Sequence, residues 1–128
     1  MTTAYVDASA LAKLMLDEPD GPAMRRWWVE AEHVYTSRVG VVETRRAVAR
    51  WDRDADATWV LRHVAIVEID AMIAERAAVL APPVLRTLDA IHLATAIALD
   101  GEIDAFVTYD DRLADAARLL GLAVVRPA

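Results

Sequence analysis

Residues 105–125 read AFVTYDDRLADAARLLGLAVV. The opening Ala-Phe-Val-Thr predicts a strand over 105–108, residues 111–120 predict a helix closed by Gly121, and the apolar Leu-Ala-Val-Val predicts a strand over 122–125. A strand, a helix and a strand in so short a span form the unit from which parallel sheets are built, because parallel neighbours need a crossover between them.

The same alternation runs through the rest of the chain. Further strands are predicted over 3–7, 34–37 and 66–69, the last with Glu68 between apolar neighbours. Helices are predicted over 8–17, with Leu11, Leu14 and Met15 on one face, and over 22–31, 40–51, 54–63, 71–80 and 88–99. Glu18-Pro19-Asp20-Gly21-Pro22 is a turn whose last proline suits the first position of a helix. Pro82-Pro83 stops one helix and Asp100-Gly101 ends the next. The expectation is an α/β fold, a three-layer sandwich whose central, largely parallel sheet of about five short strands is flanked by helices. With no Pro- or Ser-rich linker, repeat or low-complexity segment, a single domain is expected over 1–128.

A chain of 128 residues, 56% hydrophobic and 27% charged, has the profile of a globular protein with a real core. No apolar run approaches the roughly 20 residues that cross a bilayer. The start, Met-Thr-Thr-Ala-Tyr-Val-Asp, lacks a basic stretch followed by an apolar block, so no signal peptide is expected. Cysteine is absent, which excludes disulfides, thiolate metal sites and cysteine nucleophiles and suits a cytoplasmic address. The net charge of −6 argues against a nucleic-acid coat protein, which is normally basic. It leaves room for an enzyme that handles phosphates through a metal, since four pocketed carboxylates would account for −4 of the −6. Lys13 is the sole lysine among 14 basic residues, a bias without functional weight.

Ligands of open parallel sheets bind beyond the carboxyl ends of the strands. Asp7 ends the first predicted strand and Asp110 follows the strand carrying Thr108, so both stand where such chemistry happens. Asp7 serves equally well as a cap of the first helix, with Ser9 nearby. Glu43 lies in a helix whose apolar neighbours argue against free solvation; the plain alternative pairs it with Arg46 or Arg50 on the same face. Asp89 opens the most hydrophobic helix of the chain, where the helix dipole alone would favour an acid. His92, one turn later, reads better as a hydrogen-bonded core residue than as a ligand, and His33 and His63 have no metal spacing. Of Asp110 and Asp111, one is expected to cap the next helix and leave the other facing the sheet end. An acidic set without cysteine suits Mg²⁺ or Mn²⁺ and disfavours Zn²⁺ or iron–sulfur chemistry.

Taken together, Tyr-Val-Asp7-Ala-Ser9-Ala, Glu43 in the third helix, Leu-Asp89-Ala-Ile-His-Leu-Ala-Thr-Ala and Thr108-Tyr-Asp110-Asp-Arg-Leu resemble the PIN-domain family, and more narrowly the VapC-type toxins of toxin–antitoxin pairs. The resemblance spans essentially the whole chain. It implies a parallel sheet between helices and a Mg²⁺ or Mn²⁺ site built from Asp7, Glu43, Asp89 and Asp110, supported by Ser9 and Thr108. The implied activity is hydrolysis of RNA to a 5′-phosphate and a 3′-hydroxyl. The implied partners are an RNA substrate, a second copy in a homodimer and a cognate antitoxin wrapping the first four helices, with no membrane. Trp27, Trp28, Trp51 and Trp59 all fall in those helices; adjacent Trp27 and Trp28 are not expected to share one core, so at least one is expected either at an interface or as a partly exposed core residue. Arg46 and Arg50 are candidates for guiding the RNA backbone.

Other classes remain to be weighed. An aspartate-nucleophile phosphatase wants a second acid two residues after the first, where this chain has Ser9. A receiver-type module wants a strand-end lysine, whereas Lys13 falls in a predicted helix. A PIN-type nuclease acting on other nucleic acid, or in RNA processing outside a toxin–antitoxin pair, uses the same acids. A non-catalytic protein-binding module would use them only as helix caps.

Overall fold

The computed structural model describes residues 2–52 and 54–128. The elements follow in the order β1 (Thr2–Val6), α1 (Ala8–Lys13), α2 (Gly21–Glu30), β2 (Ala31–Ser37), α3 (Arg38–Trp51), α4 (Thr58–Leu61), β3 (Ala65–Val67), α5 (Ala71–Val79), α6 (Thr87–Ala98), β4 (Ala105–Val107), α7 (Asp111–Leu119) and β5 (Val124–Val125). The five strands form one sheet in the order β3-β2-β1-β4-β5, with every pair parallel. The chain therefore builds outward from β1 to β3, then returns to lay β4 on the other side of β1. That reversal opens a crevice beyond the carboxyl ends of β1 and β4.

Side chains alternate across the central strands, and each face has its own core. Ala4, Val6, Ala105 and Val107 pack with Leu11 and Leu14 of α1, Met24 of α2, Val41 of α3 and Val60 and Leu61 of α4. Tyr5 and Phe106, paired in register on the opposite face, stack at 5.2 Å and pack with Leu93, Ala96 and Leu99 around α6 and Leu113, Ala116 and Ala117 of α7. The three-layer α/β sandwich is as the alternation implies. Among the described residues no helix is long and apolar enough to cross a membrane.

Departures from the expected boundaries have local causes. The first helix stops at Lys13 rather than 17. There the chain tightens into short-range turns, and Lys13 Nζ donates to Glu18 across the loop at 2.6 Å. β2 begins at Ala31, three residues early, because its backbone joins the β1 ladder from Thr2 onward even where Glu32 and His33 are exposed. α3 starts at Arg38, since Ser37 Oγ accepts the Val39 amide at 3.2 Å and caps it. The helix expected over 54–63 is one turn, Thr58–Leu61. Asp52 and Asp56 accept the backbone N–H groups of Asp54 and Thr58 at 3.0 and 2.9 Å, a local arrangement that competes with helix.

Trp27 and Trp28 both pack, half-buried, on the α1–α4 core: they share it, contrary to expectation, and each is the partly exposed core residue of the alternative reading. Adjacent helical positions are only about 100° apart, and a core wrapping that end of α2 receives both. Trp51 and Trp59 are the exposed pair, at 75% and 46%.

Leu93 is fully buried beneath Tyr5 and Phe106. Leu93→Ala is expected to cost about 2–5 kcal/mol of unfolding free energy, read from urea denaturation; a loss within measurement error would show that α6 does not anchor this face.

Candidate active site

Asp7 follows β1 in extended backbone conformation and caps α1. Its amide still donates to the Val107 carbonyl at 3.2 Å, so the β1–β4 pairing runs up to the acid itself. One carboxylate oxygen, Oδ1, accepts the Ala10 N–H at 3.1 Å and the Ser9 hydroxyl at 2.7 Å; Oδ2 accepts the Thr108 hydroxyl at 2.7 Å. Ser9 Oγ in turn accepts the Tyr109 amide at 2.9 Å, and Thr108 Oγ1 accepts the Asp110 amide at 3.0 Å. Ser9 and Thr108 thus stitch the end of β1 to the end of β4 through one carboxylate. Capping and placement at the strand end coexist in Asp7. Burial is the largest influence on its carboxyl and pushes its pKa up, against the hydrogen bonds and the nearby His92.

Asp110 caps α7, with Oδ1 accepting the Leu113 amide at 3.1 Å. The expected division of labour with Asp111 does not occur. Asp111 turns away to pair with Arg126 at 2.6 Å, and Asp110 both caps and stays beside the other acids. Asp89 sits in the first turn of α6, half-buried. Its carboxyl is pushed up first by burial and next by the negative charge of Asp110; Glu43 adds to the rise, while His92 and Arg86 oppose it.

Glu43, in the second turn of α3, pairs with neither Arg46 nor Arg50. Its Oε1 meets His92 Nε2 at 2.6 Å, and the other ring nitrogen, Nδ1, lies 2.5 Å from the Tyr5 hydroxyl. His92 is 2% exposed and is a hydrogen-bonded core residue, as its apolar helix implies. Its role toward Glu43, and that of Tyr5, had no signal in local spacing; the available clue was that Tyr5 and His92 each lie within three residues of a candidate acid. α3 approaches closely because residue 40 is glycine: a Cβ there would lie 2.3 Å from Thr36 Oγ1 and 3.3 Å from His92 Cε1. A groove of about 450 Å³ runs from Ser9 and Glu43 along α3 to Arg46 and Arg50, with Leu88 on its far wall.

Asp7 and Asp110 thus stand after β1 and β4, joined through Thr108, and Asp89 lies within electrostatic reach of Asp110 and Glu43. Among the described residues no three His, Asp or Glu side chains close into a ready-made ion cage. The donors nonetheless suit a hard divalent cation: all are carboxylate oxygens. Among the described residues, Asp110 Oδ2, Glu43 Oε2 and both oxygens of Asp89 accept no hydrogen bond. A cation held beside Asp89 would relieve the repulsion that Asp110 and Glu43 exert on it.

Because the folded state raises the pKa of Asp7, it favours the neutral carboxyl, and stability is lost as pH rises through the folded value. Asp7→Asn keeps an acceptor for the Ala10 amide but removes the buried charge. In EDTA at pH 7 the variant is expected to melt above the parent, with the gap closing as pH falls through that raised value. A variant melting lower at pH 7 would mean that the carboxylate's hydrogen bonds outweigh its burial.

The PIN domain model matches residues 4–119. Ribonuclease VapC46 of Mycobacterium tuberculosis is 38% identical over 129 residues, covering 99% of each chain. Ribonuclease VapC35 of the same organism is 40% identical over 129 residues, covering 96% of each. In structure, M. tuberculosis VapC20, described as a toxin cleaving the sarcin–ricin loop, superposes with a TM-score of 0.77 over 98% of this chain and 100% of its own, at 21% identity. A toxin–antitoxin complex from Klebsiella pneumoniae superposes with a TM-score of 0.74 over 98% of each chain, at 23% identity. Those two likenesses bear on the fold, whereas the family model and the full-length relatives bear on descent. The chain belongs to the PIN-domain family and, within it, to the VapC group.

Proposed function

We propose that this protein is a metal-dependent endoribonuclease, the toxin of a toxin–antitoxin pair, with Asp7, Glu43, Asp89 and Asp110 as the ligands of Mg²⁺ or Mn²⁺. The observation that carries the reading is that Asp89 is raised by the neighbouring Asp110 and Glu43, while Thr108 joins Asp110 to Asp7 at the ends of β4 and β1. The full-length relatives named as ribonucleases support the substrate class.

A divalent ion, when bound, supplies activation of a water for attack on phosphorus and stabilisation of charge on the leaving oxygen. The protein's part is orientation. Thr108 and Ser9 fix both oxygens of Asp7, so that it cannot rotate away. Asp110 is held by its own helix start, and His92 sets Glu43. Arg46 and Arg50 line the groove beside Glu43, where their guanidinium groups meet a phosphate backbone. The products are a 5′-phosphate and a 3′-hydroxyl.

Exposed apolar residues suit protein partners. Trp51 and Trp59, on α3 and α4, offer aromatic anchors to an antitoxin. Met72, Val79, Val84 and Leu119, on the α5–α7 side, are each at least 78% exposed and favour a homodimer there. The cytoplasm is the compartment in which RNA and an antitoxin would both be met.

The purified chain is expected to cleave RNA with Mg²⁺ or Mn²⁺ and not in EDTA. Asp89→Asn is expected to lower kcat/KM by about 100-fold or more, beyond the 10–100-fold typical of outer partners of a metal site. DNA of the same sequence serves as the parallel substrate. Cleavage of DNA alone would point to another nuclease class, and cleavage of neither, with antitoxin binding indifferent to metal, would point to a binding module. Full activity in Asp89→Asn would overturn the site. Arg46→Ala with Arg50→Ala is expected to weaken RNA binding and flatten its salt dependence with kcat little changed; an unchanged salt slope would reduce both residues to structural ones.

A further inference from the structure

Four elements, β2, β1, α6 and α3, are tied together by one chain of hydrogen bonds. It starts at the Ser37 amide, which donates to the Tyr5 hydroxyl oxygen at 3.2 Å, passes from Tyr5 to His92 Nδ1 at 2.5 Å, and ends from His92 Nε2 on Glu43 Oε1 at 2.6 Å. Tyr5 is fully buried and His92 nearly so, so each polar atom must find its partner inside the protein. No buried side-chain nitrogen or oxygen among the described residues lacks one.

The direction of this chain follows from which groups are obliged to donate. A backbone amide only donates, so one lone pair of the Tyr5 oxygen is taken by Ser37. The neighbouring Thr36 hydroxyl gives its proton to the Val6 carbonyl at 2.7 Å. The Glu43 carboxylate, which only accepts, puts the proton of a neutral His92 on Nε2, so the Tyr5 proton goes to Nδ1, the acceptor 2.5 Å away. A neutral imidazole with Nδ1 accepting carries its single proton on Nε2, and Nε2–H faces the carboxylate of Glu43.

We propose that Tyr5 locks His92 as the Nε2–H tautomer and that His92 is thereby the positioning residue of Glu43, fixing Oε1 by a directed hydrogen bond and leaving Oε2 to the cation. The assignment rests on the metal-site reading of Glu43 given above. Two features of the fold support it independently. Gly40 removes the Cβ that would press on Thr36 and on the His92 ring edge, so α3 comes close enough for Glu43, a side chain otherwise free to swing into solvent, to reach the imidazole. The ring packs T-shaped against Tyr5 at 5.7 Å, and Tyr5 is itself stacked on Phe106, so aromatic packing and hydrogen bonds favour the same orientation. The arrangement matches the general pattern in which an outer partner orients a metal-binding carboxylate.

The test begins with the unaltered protein in EDTA, by long-range ¹H–¹⁵N correlation of the histidine rings. The expected spectrum shows His92 with an unprotonated, pyridine-type Nδ1 and a protonated Nε2. Two protonated nitrogens, or the opposite tautomer, would overturn the lock whatever the activity of the enzyme. Mn²⁺ affinity is then measured by calorimetry in the parent, His92→Gln and His92→Leu, each checked for a native circular dichroism spectrum. Glutamine keeps a donor at the Nε2 position; leucine does not. His92→Leu is expected to weaken Mn²⁺ binding on the order of 10- to 100-fold, with His92→Gln retaining most of the parent's affinity. Equal affinity in the folded leucine variant and the parent, or an equal loss in both variants, would show that the ring acts by packing alone. If the leucine variant does not fold, the glutamine variant decides: parent-like affinity upholds the role and a loss on the order of 10- to 100-fold removes it. Failure of the parent itself to bind Mn²⁺ would strike the metal-site reading, and the tautomer spectrum separates that outcome from failure of the lock.

Discussion

A carboxylate placed out of water at the end of the central strand has to be surrounded by donors, and the surroundings of Asp7 follow from that requirement. Its three donors come from the Ala10 amide, the Ser9 hydroxyl and the Thr108 hydroxyl. They belong to α1 and to the residue after β4, so satisfying one acid sets the start of the first helix and ties together two strands about a hundred residues apart in sequence. The hydrogen bonds do not offset burial fully, because the carboxyl remains raised. Stability is given up at the place where a cation would return it, the usual relation between strain and function at such sites.

The topology supplies the other acids to the same edge. β1 is central, with β2 on one side and β4 on the other, and the helices that follow those strands begin beside Asp7. α3 leaves β2 without a loop and presents Glu43 on its second turn; α7 leaves β4 through Asp110. α6 is not attached to a strand at its start. Its buried face, with Leu93 and Ala96, lies on Tyr5 and Phe106, and that packing carries Asp89 and His92 to the rim. Hydrophobic burial thus places the charges, and the charges do not place themselves.

The alternation of strands and helices was readable because period and turn residues are local properties. So were the positions of three of the acids, since Asp7 and Asp110 follow strands directly and Asp89 opens an apolar helix. What was not readable depends on partners distant in the chain. The early start of β2 is decided by the β1 backbone. The single turn of α4 is decided by aspartates that capture nearby amides. The choice between Asp110 and Asp111 turns on Arg126, which draws Asp111 away. Glu43 has arginines at helical spacing, and its actual partner is a histidine 49 positions on, itself held by Tyr5. Trp27 and Trp28 share a core because its curvature, invisible in one dimension, admits both.

Whether the four acids act as one cation site is tested most directly by anomalous diffraction from a crystal of this protein grown in saturating Mn²⁺. The account predicts an anomalous peak at the carboxyl edge of β1 and β4, within bonding distance of oxygens from Asp7, Glu43, Asp89 and Asp110. A peak held by other residues, or none at this edge, would contradict it.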